Sequence, residues 1–333
     1  MRRLGLATLA ALATLSALPG LAGCGAAGAA DDDRPTVVAS FYPLAFVAER
    51  VAGDTAGVET LTAPGQEPHD LEITFKKTVD IAEADVVVYL SDFQPAVDDA
   101  VRQAAADGDA RVVDAAEVAD LRPAEESDDE HAEHAGEEDA HEHGDLDPHF
   151  WLDPTRLAQV ADAVAARLAE SDPAHADEYA ANADALRADL IALDDEIRTG
   201  LADCSVDTLV VSHNAFAYFA ERYGLRVESI NGLTPDAEPS PAHLARLSEL
   251  IETEGVTTVF SERLATRELA DVLASDLGLR TAVLDPVEGL SDESSAGSSA
   301  GSSAGSSAGS SAADYFSLMR DNLRAVQEAN DCS

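Results

Sequence analysis

A chain of 333 residues with 64 acidic against 21 basic side chains carries a formal net charge of −43. Such a surface repels nucleic acid and anionic lipid headgroups and gathers cations, so binding to nucleic acid is excluded. With 46% of its residues hydrophobic, the chain has material for one large or two medium cores.

The chain opens with Arg2 and Arg3, an apolar run over residues 4–18, Pro19-Gly20, and then Leu21-Ala22-Gly23-Cys24. This order reads as a secretory signal over residues 1–23 rather than a transmembrane helix. Its last four residues resemble a bacterial lipobox, in which cleavage precedes a cysteine that receives lipid. Cys24 is therefore the expected lipidation site, and an extracytoplasmic protein anchored to the cell membrane the expected product. Residues 24–34 hold little that can be buried and read as a tether. Two cysteines remain, Cys204 and Cys332; in an exported chain they suggest one disulfide, the alternative being two buried free thiols.

Residues 36–41 form a β-branched apolar run that ends at Tyr42-Pro43, as a buried strand and turn would. Leu44, Val47, Ala48 and Val51 then recur at helical spacing up to Gly53. A second strand over 58–62 leads into a proline-braced loop carrying Glu67 and His69, and a helix over 76–84 precedes a third strand over 85–90. Strand-helix alternation of this kind predicts an α/β fold with parallel sheets, whose ligands collect in the loops beyond the strand carboxyl ends.

Residues 124–146 are rich in acidic side chains with His131, His134, His141 and His143 interspersed. Nothing in this stretch can pack a core, so it reads as disordered. It is either a low-affinity metal collector or an acidic spacer. Directly after it comes Asp147-Pro148-His149-Phe150-Trp151-Leu152-Asp153-Pro154. The two prolines set their own φ and bias the residues before them toward extended geometry, which places His149 on a stiff turn.

A helix capped by Asp153 follows over 154–170, and a second runs without a breaker from 172–173 to about residue 201. At ~1.5 Å per residue this second helix spans about 40 Å and reads as a rigid strut between two α/β halves. Strands are predicted over 208–212, 227–230, 256–261 and 280–284, with a helix beginning at Asn214. Their ends carry His213, Glu262 and Asp285. Residues 294–311 are a Ser/Ala/Gly repeat that reads as a flexible insertion. Asp314 caps a last helix with Phe316, Met319, Leu323 and Val326 on its buried face. The expected division is a lobe over 35–171, a linking helix over 172–202 and a second lobe over 203–333.

His69, His149, His213 and Asp285 are too far apart in sequence for any local helical motif and can meet only through the fold. Three imidazoles and a carboxylate make a tetrahedral set suited to Zn(II), closed to a reactive water if all four coordinate. The segments Gly65-Gln66-Glu67-Pro68-His69-Asp70-Leu71-Glu72, Asp147 to Pro154, Val211-Ser212-His213-Asn214-Ala215-Phe216 and Glu238-Pro239-Ser240 resemble the signature segments of the zinc-uptake ABC transporter solute-binding proteins. That resemblance implies two Rossmann-like lobes joined by one long rigid helix, with metal held in the cleft and delivered to an ABC permease. It also implies His69, His149 and His213 as ligands with Asp285 as the carboxylate, Glu67 or water being the alternative fourth ligand. In manganese-selective relatives the third ligand is typically glutamate, so His213 favours zinc.

The chain is thus read as a monomeric, non-enzymatic zinc receptor. The competing readings are a receptor for manganese or another divalent metal, a surface adhesin of the same fold, and a zinc hydrolase with Glu67 or Glu262 as general base. The last lacks a recognisable catalytic motif.

Overall fold

The computed structural model describes residues 34–106, 112–124, 146–291 and 313–333. The signal, Cys24 and the tether up to residue 33, the loop histidines 131, 134, 141 and 143, and the 294–311 repeat lie outside these residues. Two four-stranded parallel sheets form the frame. The first contains β1 (Thr36–Ala39), β2 (Gly57–Thr60), β3 (Val86–Tyr89) and β4 (Val112–Asp114) in the order β2-β1-β3-β4. The second repeats that order with β5 (Thr208–Val211), β6 (Arg226–Ser229), β7 (Thr258–Ser261) and β8 (Arg280–Val283), as β6-β5-β7-β8. The α/β architecture expected from the alternating pattern is present. In each sheet the strand order reverses beside the first strand, and the crevice at such a reversal is where α/β sheets take ligands.

Helices α1 (Tyr42–Ala52), α2 (Phe75–Glu83), α3 (Pro95–Ala106) and the short α4 (Ala115–Val118) accompany the first sheet. α5 (Pro154–Ser171) starts as its sequence predicts. Pro154 occupies the first turn, and the Asp153 carboxylate accepts hydrogen bonds from the Thr155 amide at 2.8 Å and hydroxyl at 2.7 Å. A short 3-10 turn at Pro173–His175 then leads into the long α6, Ala176–Gly200. Leu186, Leu190, Leu193 and Ile197 on α6 are fully buried and share one core with Leu157, Val160, Val164 and Leu168 of α5. At Gly200 the final helix comes so close that an added Cβ would lie 2.8 Å from Gln327 Nε2 and 2.9 Å from Leu323 Cδ1, so a larger residue would require those two side chains to shift.

The second sheet is accompanied by α7 (Ala217–Tyr223), α8 (Pro241–Glu254) and α9 (Glu268–Leu277), and the final α10 (Tyr315–Asn330) packs on α6. α7 begins three residues later than the apolar spacing predicts. The intervening turn is taken up by other partners, the Asn214 amide donating to Gly232 O at 2.9 Å. Arg222 on α7 grips the buried Asp194 of α6 with two bonds of 2.8 and 2.7 Å, which fixes α7 to the long helix. Asp194 is buried, which alone would raise its pKa, but Arg222 and Arg198 hold it below the usual carboxylate range.

Cys204 and Cys332 form a disulfide across a sequence separation of 128. It ties the end of α10 to the segment that enters the second sheet. Cys204→Ser/Cys332→Ser is expected to lose about 2–4 kcal/mol of stability, read by urea denaturation with and without reductant. Reductant should then have no further effect on the double variant.

Candidate metal centre

In the second sheet each of the two central strands delivers a functional side chain at its carboxyl end. β5 runs through Ser212 into His213, and the neighbouring β7 runs into Glu262. The Glu262 carboxylate accepts from the His213 amide at 3.2 Å and lies 2.7 Å from the ring Nδ1. His149 is held the same way by a nearer residue: Asp147 Oδ1 accepts from the His149 amide at 3.0 Å and lies 2.9 Å from its Nδ1. In both cases a proton on Nδ1 directed at the carboxylate leaves Nε2 with its lone pair free. This is the arrangement by which outer carboxylates fix the tautomer and direction of metal-ligating histidines.

His69 arrives from the loop after β2. Its ring meets Phe93 edge-on at 4.7 Å between centroids, and the loop is pinned where Gln94 Nε2 donates to Pro68 O at 3.0 Å. Trp151 packs against His149 at 5.3 Å and against Phe41 at 4.9 Å, walling the site with aromatic surface. His149 and His213 are fully buried and His69 nearly so.

The three imidazoles expected to meet do so, and a carboxylate joins them: one ligand atom each from His69, His149, His213 and Glu288 lies within 4.8 Å of the others. Glu288 Oε1 stands 3.2 Å from His213 Nε2, 3.5 Å from His149 Nε2 and 3.6 Å from His69 Nε2, and the Nε2 atoms of His149 and His213 are 3.4 Å apart. Four donors at ~2.0–2.1 Å from one ion in a tetrahedron lie about 3.3–3.4 Å from each other. These four separations match the edges of such a tetrahedron to within a few tenths of an ångström. Among the described residues His69 Nε2 and Glu288 Oε1, both buried, have no hydrogen-bond partner. Buried polar atoms left so are costly, and a shared cation would satisfy both.

Asp285, the carboxylate expected from the sequence, does not join the group. Its Oδ2 lies 2.8 Å from Arg263 Nε and its Oδ1 accepts from the Val287 amide at 2.8 Å, so both oxygens are engaged away from the imidazoles. Glu288, three residues later in the same loop beyond β8, takes the place instead. Glu67, the alternative carboxylate, stays outside as well and accepts from the His69 amide at 3.1 Å. Glu262, considered as a general base, is committed to His213. The sequence signal for Glu288 was available, since it too is an acidic residue in the loop following a strand, but Asp285 stood closer to the strand end.

The electrostatics are those of a site awaiting positive charge. Burial alone would lower the His213 pKa, but Glu262 and Glu288 outweigh it and push it up to about 10. His149 is likewise raised against its burial by Asp147 and Glu288, while His69 is lowered by burial that Glu288 does not offset. Burial also opposes ionisation of Glu288, yet the surrounding histidines, His69 foremost, hold it well below the usual carboxylate range. Glu67 rises to about 8 through burial and the adjacent Glu288. Among the described residues Asp147, Glu262 and Glu288 face the imidazoles, which favours a cation over an anion.

A family model described as "Zinc-uptake complex component A periplasmic" matches residues 37–329. Similar proteins include the zinc-binding lipoprotein AdcA of Streptococcus pneumoniae serotype 4, 33% identical over 311 residues that make up 90% of this chain and 56% of that relative. The chain thus spans little more than half of AdcA. The high-affinity zinc uptake system protein ZnuA of Bacillus subtilis is 32% identical over 297 residues, 89% of this chain and 88% of that one. Among solved structures, the Zn(II)-bound ZnuA-like domain of Streptococcus pneumoniae AdcA superposes with a TM-score of 0.69 at 30% identity, covering 90% of this chain and 99% of that domain.

Proposed function

This chain belongs to the zinc-uptake complex component A periplasmic family, and on that premise we propose that it is an extracytoplasmic receptor that captures Zn(II) and passes it to an ABC permease. Zinc is its cargo. His69, His149, His213 and Glu288 are its ligands, Cys24 carries the lipid that holds it at the membrane, and it works as a monomer. The observation that carries this reading is the convergence of three imidazole nitrogens and one carboxylate oxygen within 4.8 Å of one another, 3.2–3.6 Å apart where they meet Glu288.

Two features support zinc as the cargo and binding as the task. Imidazole-rich sets suit zinc, whereas manganese prefers hard oxygen donors. A fourth protein ligand closes the coordination sphere, and hydrolytic zinc sites keep that position for water. The chain therefore holds its ion rather than using it for catalysis. Protein purified from defined medium should contain about one tightly held zinc, measured by plasma mass spectrometry after dialysis against a weak chelator. Manganese in its place, or no bound metal, would overturn the proposal.

The histidine-bearing segment before His149 is assigned a collecting role at low affinity. The residues that flank it are paired: Pro123 and Leu146 form an antiparallel bridge, and the Asp147 amide donates to Arg122 O at 2.9 Å. The Tyr218 hydroxyl accepts from the Arg122 amide and donates to Asp147 O, each at 2.8 Å. Deleting residues 126–144 is expected to remove weak zinc binding in calorimetry and leave the tight site unchanged. Loss of the tight isotherm would mean that one of the segment's histidines is a ligand.

A further inference from the structure

The backbone that presents Glu288 adopts a conformation its own residues disfavour. Val287, immediately before it, is fully buried and has φ 57°. A β-branched residue in the left-handed region is a steric outlier and persists only where surrounding contacts over-determine it. Those contacts are visible. The Asp285 carboxylate accepts from the Val287 amide at 2.8 Å, and Trp151 Nε1 donates to Pro286 O at 2.7 Å. Asn322 on α10 accepts from the Asp285 amide at 2.8 Å and donates to its carbonyl at 2.6 Å. The loop from Asp285 to Glu288 is therefore pinned at three consecutive residues, and the left-handed residue redirects the chain just before the carboxylate that meets the imidazoles.

We propose that Asp285 is a positioning residue for zinc capture: by accepting the Val287 N–H it holds the strained turn that delivers Glu288 to His69, His149 and His213. Its own carboxylate never reaches the metal. Arg263, half-exposed, keeps the second Asp285 oxygen turned away at 2.8 Å. The inference rests on Glu288 being a zinc ligand, as argued above.

The test is a double-mutant cycle on the full chain, with zinc affinity read by competition against a chromophoric chelator. Asp285→Ala is expected to weaken zinc binding about 10–100-fold, the range for loss of a group that orients a ligand. Asp285→Asn, which keeps an oxygen acceptor for the Val287 amide, should recover most of that loss. Asp285→Ala/Glu288→Gln should bind no more weakly than Glu288→Gln alone, because both act through one carboxylate. X-ray absorption at the zinc edge should show the oxygen ligand displaced in Asp285→Ala.

Additive losses in the double variant, or an Asp285→Asn affinity as poor as that of Asp285→Ala, would overturn the proposal. Arg263→Gln, at a half-exposed position, gives a second test if the alanine variant does not fold. It leaves the Val287 contact in place and should not tighten zinc binding. Tighter binding would show Asp285 to be a ligand restrained by Arg263, and would refute the positioning role. Wild-type affinity in Glu288→Gln by itself would instead sink the ligand set on which the inference depends.

Discussion

Replacing His149 by alanine is expected to weaken zinc binding by more than about 100-fold, since loss of a mere orienting partner already costs 10–100-fold. The imidazole is fully buried, its Nε2 lies 3.4 Å from that of His213, and its direction is fixed by Asp147, so its loss removes a donor already held in position. His213→Ala should behave alike, with Glu262 then left buried without its ring partner. His175→Ala is the control. That side chain is about half-exposed and pairs with Asp172 at the start of the long helix, away from the cluster. Isothermal titration of the three variants decides the matter, and equal affinities across them would remove the metal centre.

Trp151→Ala is expected to cost about 3–5 kcal/mol of stability in the metal-free protein, the range for emptying a large aromatic site. Trp151 is fully buried and meets Phe41 edge-on at 4.9 Å and Phe93 at 5.8 Å. Its indole N–H is also a partner for Pro286 O, so the substitution strands a buried carbonyl in addition to opening a cavity. That bond joins the turn bearing His149 to the loop bearing Glu288, so zinc affinity should fall along with stability. Urea denaturation of chelated protein measures the first effect. A stability loss under about 1 kcal/mol, typical of an ordinary point mutation, would mean that the aromatic wall relaxes to fill the space.

Much of the frame was legible because it is local. The Asp153-Pro154 pair announces α5 through a cap and a preset φ, and the helical spacing of Leu186, Leu190, Leu193 and Ile197 announces α6. β-branched runs such as Thr208–Val211 favour buried strands, and the alternation with helices favours parallel pairing, so the position of His213 at a strand's carboxyl end followed from them. The proline-braced turn around His149 was legible for the same reason. Less legible was the stretch after His213, where helical spacing suggested a helix from Asn214. The helix waits until Ala217 because the Asn214 amide and the His213 ring are drawn to partners on other elements.

By itself the sequence determined the classes of donor, the strands that end beside them and the aromatic turn that stiffens one of them, because each depends on residues within a few positions of one another. Which carboxylate completes the set was decided only in three dimensions. Asp285 and Glu288 lie three residues apart in one loop and are chemically alike, and the one local rule that ranks them, nearness to the strand end, puts Asp285 first. The choice comes from Arg263 at the end of another strand, which takes one Asp285 oxygen, and from Asn322 and Trp151, which pin the loop from distant helices and turns. Together they hold Val287 in a left-handed conformation that a β-branched residue avoids on its own. A torsion stabilised by contacts 37 and 135 positions away in the chain leaves no trace in local sequence, and it is this torsion that turns Glu288 toward the histidines.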